Sequence, residues 1–509
     1  MNKHLLSLFF LAFVTTHVFA VPFPKANDKD AVPVQESMSP CHIFFPTLSK
    51  RVPEYSFRSA SLPTALNIPD SISMPDTRDQ GSTNTCWAYS STSAIEFNRA
   101  WNNFLSGEWI SYPNDSTFSV THLIENKGFE TPVESGGTMR YSTAYYASGT
   151  GPALDNADFS LTRYFTDITF YDALTPDSIK RLVLKHGHVW IPVNGSMLTS
   201  PYRDSEHHAS YIPSADASGM SLNHAVLIVG WDDNFNQFSN LASKPSSPGA
   251  WLVQNSWGTA NDSAGYFHLS YYSAMIGCPV TFSGDTVRND NDTILQKDRL
   301  GEIYDLNFNR TFSSTELCDT IFQVSFFPIE QADSVFVSRV GFWVSDDGDE
   351  RPVTDTIQLY KASSLEQAFA AEPIAVAGAE NLSSGYHSLP IKAGLKAGDT
   401  LCVMQYTIGT TIIPVEAEAD VLYAHVTPQK MQYIYPQGSG YGFLDQYSQG
   451  RNLCIKVYAQ LKSQESSTIE TSAKDSDQTT HSQLLFTNGP AEIYAITRNG
   501  VTSKVLKQK

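Results

Sequence analysis

The sequence predicts an α+β fold over residues 62–275, followed by an all-β sandwich of the jelly-roll kind over residues 276–462. Three observations predict this. Residues 87–100 contain no Pro or Gly and carry small and apolar residues at helical spacing. The apolar run 225–231 is typical of a buried strand, and residues 251–258 and 265–271 have the pattern of neighbouring strands. In the second half, short runs rich in Val, Ile, Phe, Tyr and Thr alternate with turn residues.

Charge and composition restrict the classes of partner. The chain has 509 residues, of which 41% are hydrophobic, and a net charge of −18. Such a charge argues against nucleic acids and anionic membranes as partners. Residues 1–20 have a positive start, an apolar stretch and a small residue at the end, which is the pattern of a cleaved signal peptide. The apolar stretch is shorter than the ~20 residues of a membrane span. We therefore predict a secreted or cell-surface protein, with residues 21–61 as a leader or propeptide.

Six cysteines are scattered along the chain. One disulfide among Cys318, Cys402 and Cys454 is compatible with export. No two cysteines have the spacing of metal ligands. The sequence therefore predicts no metal and no cofactor.

Cys86 stands where the polar loop of residues 79–85 enters the first helix. The unpaired N–H groups and the positive dipole end of a helix N-terminus favour a thiolate, which is a strong nucleophile. Gln80 precedes Cys86 closely enough for its amide to fold back as a donor to developing negative charge. The alternative for a single cysteine is a buried thiol that packs as a small apolar residue.

Two later residues supply what a nucleophilic thiol requires. His224 directly precedes the apolar strand 225–231, and at the start of a buried strand an imidazole is rigidly held. Asn255 ends the next predicted strand, and Trp257 is available to cover it. Most of the 13 histidines have no such placement. A Cys, a His and an Asn on neighbouring elements predict nucleophilic catalysis.

These motifs together resemble the papain-like (C1) cysteine peptidases. The resemblance implies a two-lobed peptidase domain over residues 62–275. It implies that Cys86 is the nucleophile, that His224 is its proton partner and that Asn255 orients the imidazole. Gln80, with the Cys86 N–H, would stabilise the oxyanion, and Trp257 would shield the Asn255–His224 contact. The residues that carry the resemblance are Gln80, Cys86-Trp87-Ala88, Gly136-Gly137, Asn223-His224-Ala225-Val226 and Asn255-Ser256-Trp257-Gly258.

The resemblance also implies a substrate site. Gly136 and Gly137 would let an extended substrate strand approach the backbone closely. An apolar pocket for a substrate side chain would be formed by Met139, Pro192 and Ala225.

The chain departs from the family pattern just before the nucleophile. Thr83 and Asn84 stand where the family usually has Cys and Gly, so the family disulfide through that position cannot form. The leader is also too short for the long helical propeptide of lysosomal members. Both features are typical of bacterial secreted members.

The second half resembles, more weakly, the lectin-like domain that follows the peptidase in several bacterial secreted C1 proteins. Glycans or a cell surface are therefore predicted partners, beside a protein or peptide substrate. Residues 346–350 are compatible with a calcium site or with an acidic hairpin tip. Residues 463–483 have the composition of a flexible linker. Residues 484–509 are predicted to form a β-hairpin or a sorting tail.

The sequence therefore predicts a secreted cysteine endopeptidase. The alternative is a glycan-binding or adhesive cell-surface protein whose peptidase fold is inert. A transglutaminase-like thiol enzyme is a second alternative, but such enzymes usually orient the His with Asp and lack a Gln six positions before the Cys.

Overall fold

The structure is a computed structural model of the chain. The predicted signal peptide, almost all of the leader and the acidic segment 346–350 lie outside the residues that it describes. It describes residues 35–37, 62–107, 117–172, 174–274, 276–307, 320–330, 333–345, 352–410, 412–420, 423–436, 444–445, 450–462, 481–487, 491–498 and 501–508.

Helices concentrate in the first half of the chain. The α-helices are α1 Cys86–Ser106, α2 Val120–Asn126, α3 Met139–Ala147, α4 Pro176–His186 and α5 Leu365–Ala370. Short 3-10 turns occur at Val133–Ser135, Gly195–Leu198 and Ser214–Asp216.

Strands make up most of the remainder. In the first half they are β1 Gln35–Ser37, β2 Ala65–Asn67, β3 Arg163–Phe170, β4 Val189–Val193, β5 Arg203–Asp204, β6 Ala209–Ser210, β7 His224–Asp232, β8 Ala250–Gln254 and β9 Tyr266–Ser270. The second half contains β10 Val280–Val287, β11 Asp292–Gln296, β12 Tyr304–Asn307, β13 Thr320–Pro328, β14 Ser334–Val344, β15 Val353–Lys361, β16 Ala375–Leu382, β17 Gly385–Lys396, β18 Thr400–Ile408, β19 Ile412–Ala417, β20 Gln432–Pro436, β21 Leu444–Asp445, β22 Arg451–Leu453 and β23 Ile455–Lys462. The tail contains β24 His481–Thr487, β25 Ala491–Arg498 and β26 Val501–Gln508.

Helix α1 is the central helix of the first half, as its apolar spacing predicts. It begins at Cys86 and ends at Gly107, whose φ of 77° is the left-handed conformation that glycine adopts most easily. Even polar residues along it, such as Glu96 and Asn98, are buried. Helix α4 also follows its sequence signals, because Thr175 caps its start and Gly187 ends it.

The strands that carry the site lie side by side in one sheet. Its order includes β10-β4-β7-β8-β9, with β2 paired to β7. Strand β7 is therefore central, and its residues from His224 to Trp231 are all buried. The register aligns Pro192 of β4 with Ala225 of β7, which places the two residues side by side at the start of β7.

The second half is a sandwich of two sheets together with a smaller sheet of order β1-β12-β19-β22. One sheet of the sandwich contains β11-β23-β14-β17, and the other has the order β16-β15-β18-β13-β20-β21. An apolar core joins residues of both, including Val340, Ile357, Val403 and Val457. The predicted α+β half followed by a β sandwich is confirmed.

The two halves share one sheet and one core. Strand β17 pairs with β3 through Gly385↔Thr169 and Tyr386↔Ile168. Tyr386, together with Trp343, also belongs to the same apolar cluster as the first-half core. All nine residues of α3 are buried as a result of this contact and of the packing within the first half. The domain boundaries named above remain predictions.

No disulfide joins Cys402 to Cys454, which corrects the pairing considered from sequence. Both are free buried thiols, and Cys318 lies outside the described residues. They pack in different apolar clusters, since Cys402 contacts the β13–β18 side and Cys454 belongs to the first-half core. Burial raises the pKa of Cys402 to about 12, which keeps it a thiol.

The predicted hairpin in the tail is part of a three-stranded sheet of order β24-β25-β26. Arg498 pairs with Val501, which leaves two residues between the strands. Within the described part of the chain, no helix combines the length and the apolar character needed to cross a membrane.

Candidate active site

Cys86 is the first residue of α1, as the sequence predicts. The main-chain N–H groups of Ala225, Trp87 and Cys86 itself lie near its sulfur and favour the thiolate. The sulfur therefore lies beside the first peptide of β7, the strand that begins with His224. Ser90 donates to the Cys86 carbonyl at 2.6 Å and accepts from the Trp190 indole at 2.7 Å, which fixes the first turn of α1 against β4.

The pKa of the Cys86 thiol is raised, whereas a helix N-terminus by itself would lower it. Burial raises the pKa of Cys86 above its ordinary value of 9.0, and the three N–H groups only partly offset that effect. Burial likewise lowers the pKa of His224 below 6.5, against the opposing effect of its hydrogen bond to Asn255. A net charge on either side chain alone is therefore disfavoured. Opposite charges on the two side chains together would offset part of that cost.

His224 and Asn255 are hydrogen-bonded. The Nε2 atom of His224 lies 2.9 Å from Oδ1 of Asn255, and both residues are buried. The same Oδ1 accepts from the N–H of Ser256 at 2.9 Å, which identifies it as the acceptor oxygen of the amide. Nε2 therefore carries the proton. The second ring nitrogen, Nδ1, is then the one able to accept a proton.

Gln80 is held by hydrogen bonds to Ser256 and Thr83. Its Oε1 accepts from the Ser256 hydroxyl at 2.6 Å, and its main-chain N–H donates to the Ser256 carbonyl at 2.8 Å. One hydrogen of Nε2 points to the Thr83 carbonyl at 2.6 Å. Because a primary amide has two N–H groups, one donor is left for a ligand.

Thr83 and Asn84, the two departures from the family pattern, take part in hydrogen bonds. The Thr83 hydroxyl donates to the Gln80 carbonyl at 2.7 Å, which is a hydrogen bond within the loop of residues 79–85. Asn84 donates from Nδ2 to the Glu134 carbonyl at 2.7 Å, across to the loop that contains Gly136. Hydrogen bonds therefore hold this loop in place of the disulfide that it lacks.

The strand segments before Gln80 and after Asn255 are paired. Asp79 bridges to Trp257, and Gly258 donates to the Arg78 carbonyl at 3.0 Å. The Trp257 ring lies 5.3 Å from the His224 ring between centroids, so it covers the imidazole. Arg78 is anchored to Glu96 of α1 by two contacts of 2.8 and 2.6 Å. This pair locks the Gln80 loop onto the helix that carries Cys86.

The residues expected to bind substrate lie on both sides of these groups. Gly137 rests against the Trp87 indole, because a Cβ on it would come within 2.3 Å of Nε1. Gly136 adopts φ 78° and ends the 3-10 turn before α3. Met139 and Ala225 are buried, and Pro192 is half-buried beside Ala225.

Ser256 is the residue that sequence reasoning left without a role. It links the amide that orients His224 to the amide of Gln80, through its N–H and its hydroxyl. Its position within the Asn255-Ser256-Trp257-Gly258 motif is the sequence signal that could have indicated this role.

Comparison with protein families finds one match to the first half of the chain. The model of the papain family cysteine protease matches residues 62–281. Cysteine proteinase 15A of Pisum sativum is 23% identical over 243 residues, which cover 43% of this chain and 62% of that protein. Procathepsin L of Mus musculus is 24% identical over 230 residues, covering 41% of this chain and 62% of that protein. The chain thus spans less than two thirds of these relatives.

Solved structures match both halves. The cysteine protease and lectin-like domains of Cwp84, a surface layer associated protein of Clostridium difficile, superpose with a TM-score of 0.64 and 18% identity, over 89% of this chain and 96% of that one. A second structure of Cwp84, after propeptide cleavage, covers 78% of this chain and all of that one, with a TM-score of 0.61 and 19% identity. Residues 62–281 thus match the papain family of cysteine proteases, and the order of the motifs and the fold of this part of the chain agree with that match.

Proposed function

We propose that this chain is a cysteine endopeptidase that hydrolyses peptide bonds with Cys86, His224, Asn255 and Gln80. The observation that carries the proposal is the 2.9 Å hydrogen bond from His224 to Asn255, with the Cys86 sulfur against the first peptide of the same strand. A bound, oriented imidazole beside a thiol is the requirement for nucleophilic catalysis.

The first chemical step forms a covalent intermediate. The Cys86 thiol gives its proton to Nδ1 of His224, and the sulfur attacks the carbonyl carbon of the substrate. The resulting oxyanion accepts from the N–H of Cys86 and the remaining N–H of Gln80. When the tetrahedral intermediate collapses, the C–N bond breaks and the imidazolium protonates the leaving amine. The product is a thioester on Cys86.

The second step restores the enzyme. His224 removes a proton from water, whose oxygen attacks the thioester carbonyl. The C–S bond breaks, the acid product leaves and the thiol regains its proton. Asn255 holds the ring in one orientation throughout, because its Oδ1 accepts from Nε2 in both steps.

The substrate is an extended peptide. Its backbone lies along Gly136 and Gly137, where the contact of Gly137 with Trp87 leaves no side chain in the way. An apolar side chain enters the pocket formed by Met139, Pro192 and Ala225. We further propose that the chain is secreted or held at the cell surface, and that its β-rich half binds glycans there.

Covalent labelling tests the catalytic assignment. An epoxysuccinyl inhibitor should modify Cys86 and abolish hydrolysis of an unfolded protein substrate, because the proposed site activates this thiol with the imidazole of His224. Cys86→Ala should be inactive with an unchanged melting temperature. The matched control is Cys402→Ala, which removes a buried thiol remote from the site and should leave turnover per folded molecule unchanged. Modification of another cysteine, or activity in Cys86→Ala, would refute the assignment.

The alternative, an adhesive protein with an inert peptidase fold, predicts a different result. Glycan or cell-surface binding would then occur without any thiol-dependent turnover. The hydrogen bonds that orient both His224 and Gln80 support the peptidase, since an inert fold has no mechanical need for them.

A further inference from the structure

A groove of about 560 Å³ lies where the two halves of the molecule meet. Its volume is within the range of about 300–1,000 Å³ that small-molecule sites occupy, and such sites favour domain junctions. Its lining residues come from six strands, which are β3, β10, β11, β14, β17 and β23, and from Asn289 between β10 and β11. These six strands are consecutive neighbours in the shared sheet, and β11 and β10 are the first and last of this run of six. None of the proposed catalytic residues lines this groove.

The groove presents an aromatic ring to solvent. Phe336 of β14 is 43% exposed, although most large apolar side chains of this half are buried. The Lys462 ammonium lies 4.8 Å from the centre of that ring. A flat exposed ring offers a stacking surface, and the C–H face of a pyranose packs against such a surface.

A polar group in the groove lacks a partner. Tyr164 is 4% exposed, and its hydroxyl finds no hydrogen-bond partner among the residues that the structure describes. The Tyr164 side chain lines the groove, while its hydroxyl itself is enclosed by protein. Asn289 and Gln460 add amide groups to the lining, and Thr293 and Ser338 add hydroxyls.

The charge of the groove is opposite to that of the chain. Arg339 and Lys392 line it together with one carboxylate, that of Asp292. The Arg339 guanidinium is fixed by bonds of 3.1 and 2.8 Å to the carbonyl and hydroxyl of Ser388. Arg288 and Lys462 border the groove through their contacts with the Tyr164 and Phe336 rings. In a chain of net charge −18, this local excess of cations favours an anionic ligand.

We propose that this groove is a binding site for an acidic oligosaccharide. One sugar ring stacks on Phe336, the hydroxyls of the ligand bond to the amide and hydroxyl groups of the lining, and its acidic groups face Arg339 and Lys392. This site specifies the glycan binding proposed above, and it does not require the peptidase to be active.

Binding of the full-length chain to immobilised glycans tests the site. The panel should pair uronate-, sialate- and phosphate-bearing oligosaccharides with their neutral counterparts. We expect binding to acidic members that weakens as salt is raised. Phe336→Ala should lower the affinity roughly tenfold, as expected for the loss of a stacked ring. Lys392→Gln should lower it and flatten the salt dependence.

Matched variants separate this site from general effects. Tyr272→Ala removes an equally exposed aromatic ring, at 44% exposure, outside the groove. Lys396→Gln removes an exposed cation outside it. Both should bind as the unchanged chain does. Absence of binding to every acidic glycan, preference for the neutral partners, or full affinity in Phe336→Ala would overturn the proposal. Because Phe336→Ala should keep full peptidase activity, failure of this site is distinguishable from failure of the peptidase assignment.

Discussion

At the scale of single residues, Ser256 connects the two amides of the site. It donates its N–H to Asn255 and its hydroxyl to Gln80, and these contacts set the direction of each side chain. Catalysis depends on donors that are already aimed before the charge develops. We therefore expect Ser256 to be a positioning residue, which affects catalysis by orienting the Gln80 amide.

Removal of the Ser256 hydroxyl tests this role. Ser256→Ala should lower kcat about tenfold with little change in KM, because one orienting hydrogen bond is lost. The control is the pair of variants Gln80→Ala and Gln80→Ala/Ser256→Ala. If the Ser256 hydroxyl acts only through Gln80, kcat of the double variant should equal kcat of Gln80→Ala. Additive losses would contradict that coupling.

The burial of Cys86 and His224 predicts a broad pH profile. The Cys86–His224 pair has no net charge either as a thiol with a neutral imidazole or as a thiolate with an imidazolium. Adding a proton is opposed because burial lowers the pKa of His224 below 6.5, so activity should fall only below that pH. Removing the proton is opposed because burial raises the pKa of Cys86 above 9.0, so the alkaline loss should lie above it. The measurement is kcat/KM across pH, and a bell confined between these values would contradict it.

At the scale of elements, the loop before the nucleophile is fastened to α1 by a buried ion pair. Arg78 contacts Glu96 through two bonds, and Glu96 also accepts from the Phe118 N–H at 2.8 Å. The side chain of Glu96 is 1% exposed. Removing one partner of such a pair leaves a buried charge uncompensated.

Glu96→Ala should therefore lower the free energy of unfolding by about 3 kcal/mol. A matched exposed pair provides the control, since Lys361 and Asp399 are 3.0 Å apart with side chains 42% and 29% exposed. Lys361→Ala should cost under about 1 kcal/mol. Denaturant unfolding followed by tryptophan fluorescence measures both. Equal losses of unfolding free energy in the two variants would show that the buried Arg78–Glu96 pair stabilises the fold no more than an exposed pair does.

At the scale of the whole molecule, the β-rich half supports helix α3, which follows the proposed substrate-binding residues Gly136 and Gly137. Arg140 of α3, next to Met139, is 3.4 Å from Glu302, and both side chains are at most 2% exposed. Gln296 donates to the Ser148 carbonyl at 3.1 Å, just beyond the end of α3. The second half therefore covers the outer side of the helix that follows Gly137.

A chain truncated after residue 281 tests this dependence. Removing the second half would expose α3 and leave Arg140 without Glu302, so the fragment should show no cooperative melting transition and no peptidase activity. The full-length chain is the control for expression and assay. A truncated chain that melts cooperatively and hydrolyses substrate at the full rate would show that the first half is autonomous.

The elements were predictable because their signals are local. Thr175 and Gly187 mark the ends of α4, and the apolar run at 225–231 marks β7, so the bounds of both follow from short stretches of sequence. The identities of Cys86, His224 and Asn255 were available in the same way, since each stands at an element boundary.

Tertiary structure decided what depends on residues far apart in the chain. The bond between Gln80 and Ser256, the pairing of β3 with β17 and the groove around Phe336 each join segments that no periodicity connects. The pKa values of Cys86 and His224 also belong to this group, because they follow from the depth of burial rather than from the motif. Sequence by itself determined the elements and the reactive side chains of this protein, because local chemistry specifies them. Only the packed fold decided how those side chains are aimed and charged, because contact and desolvation arise when distant segments meet.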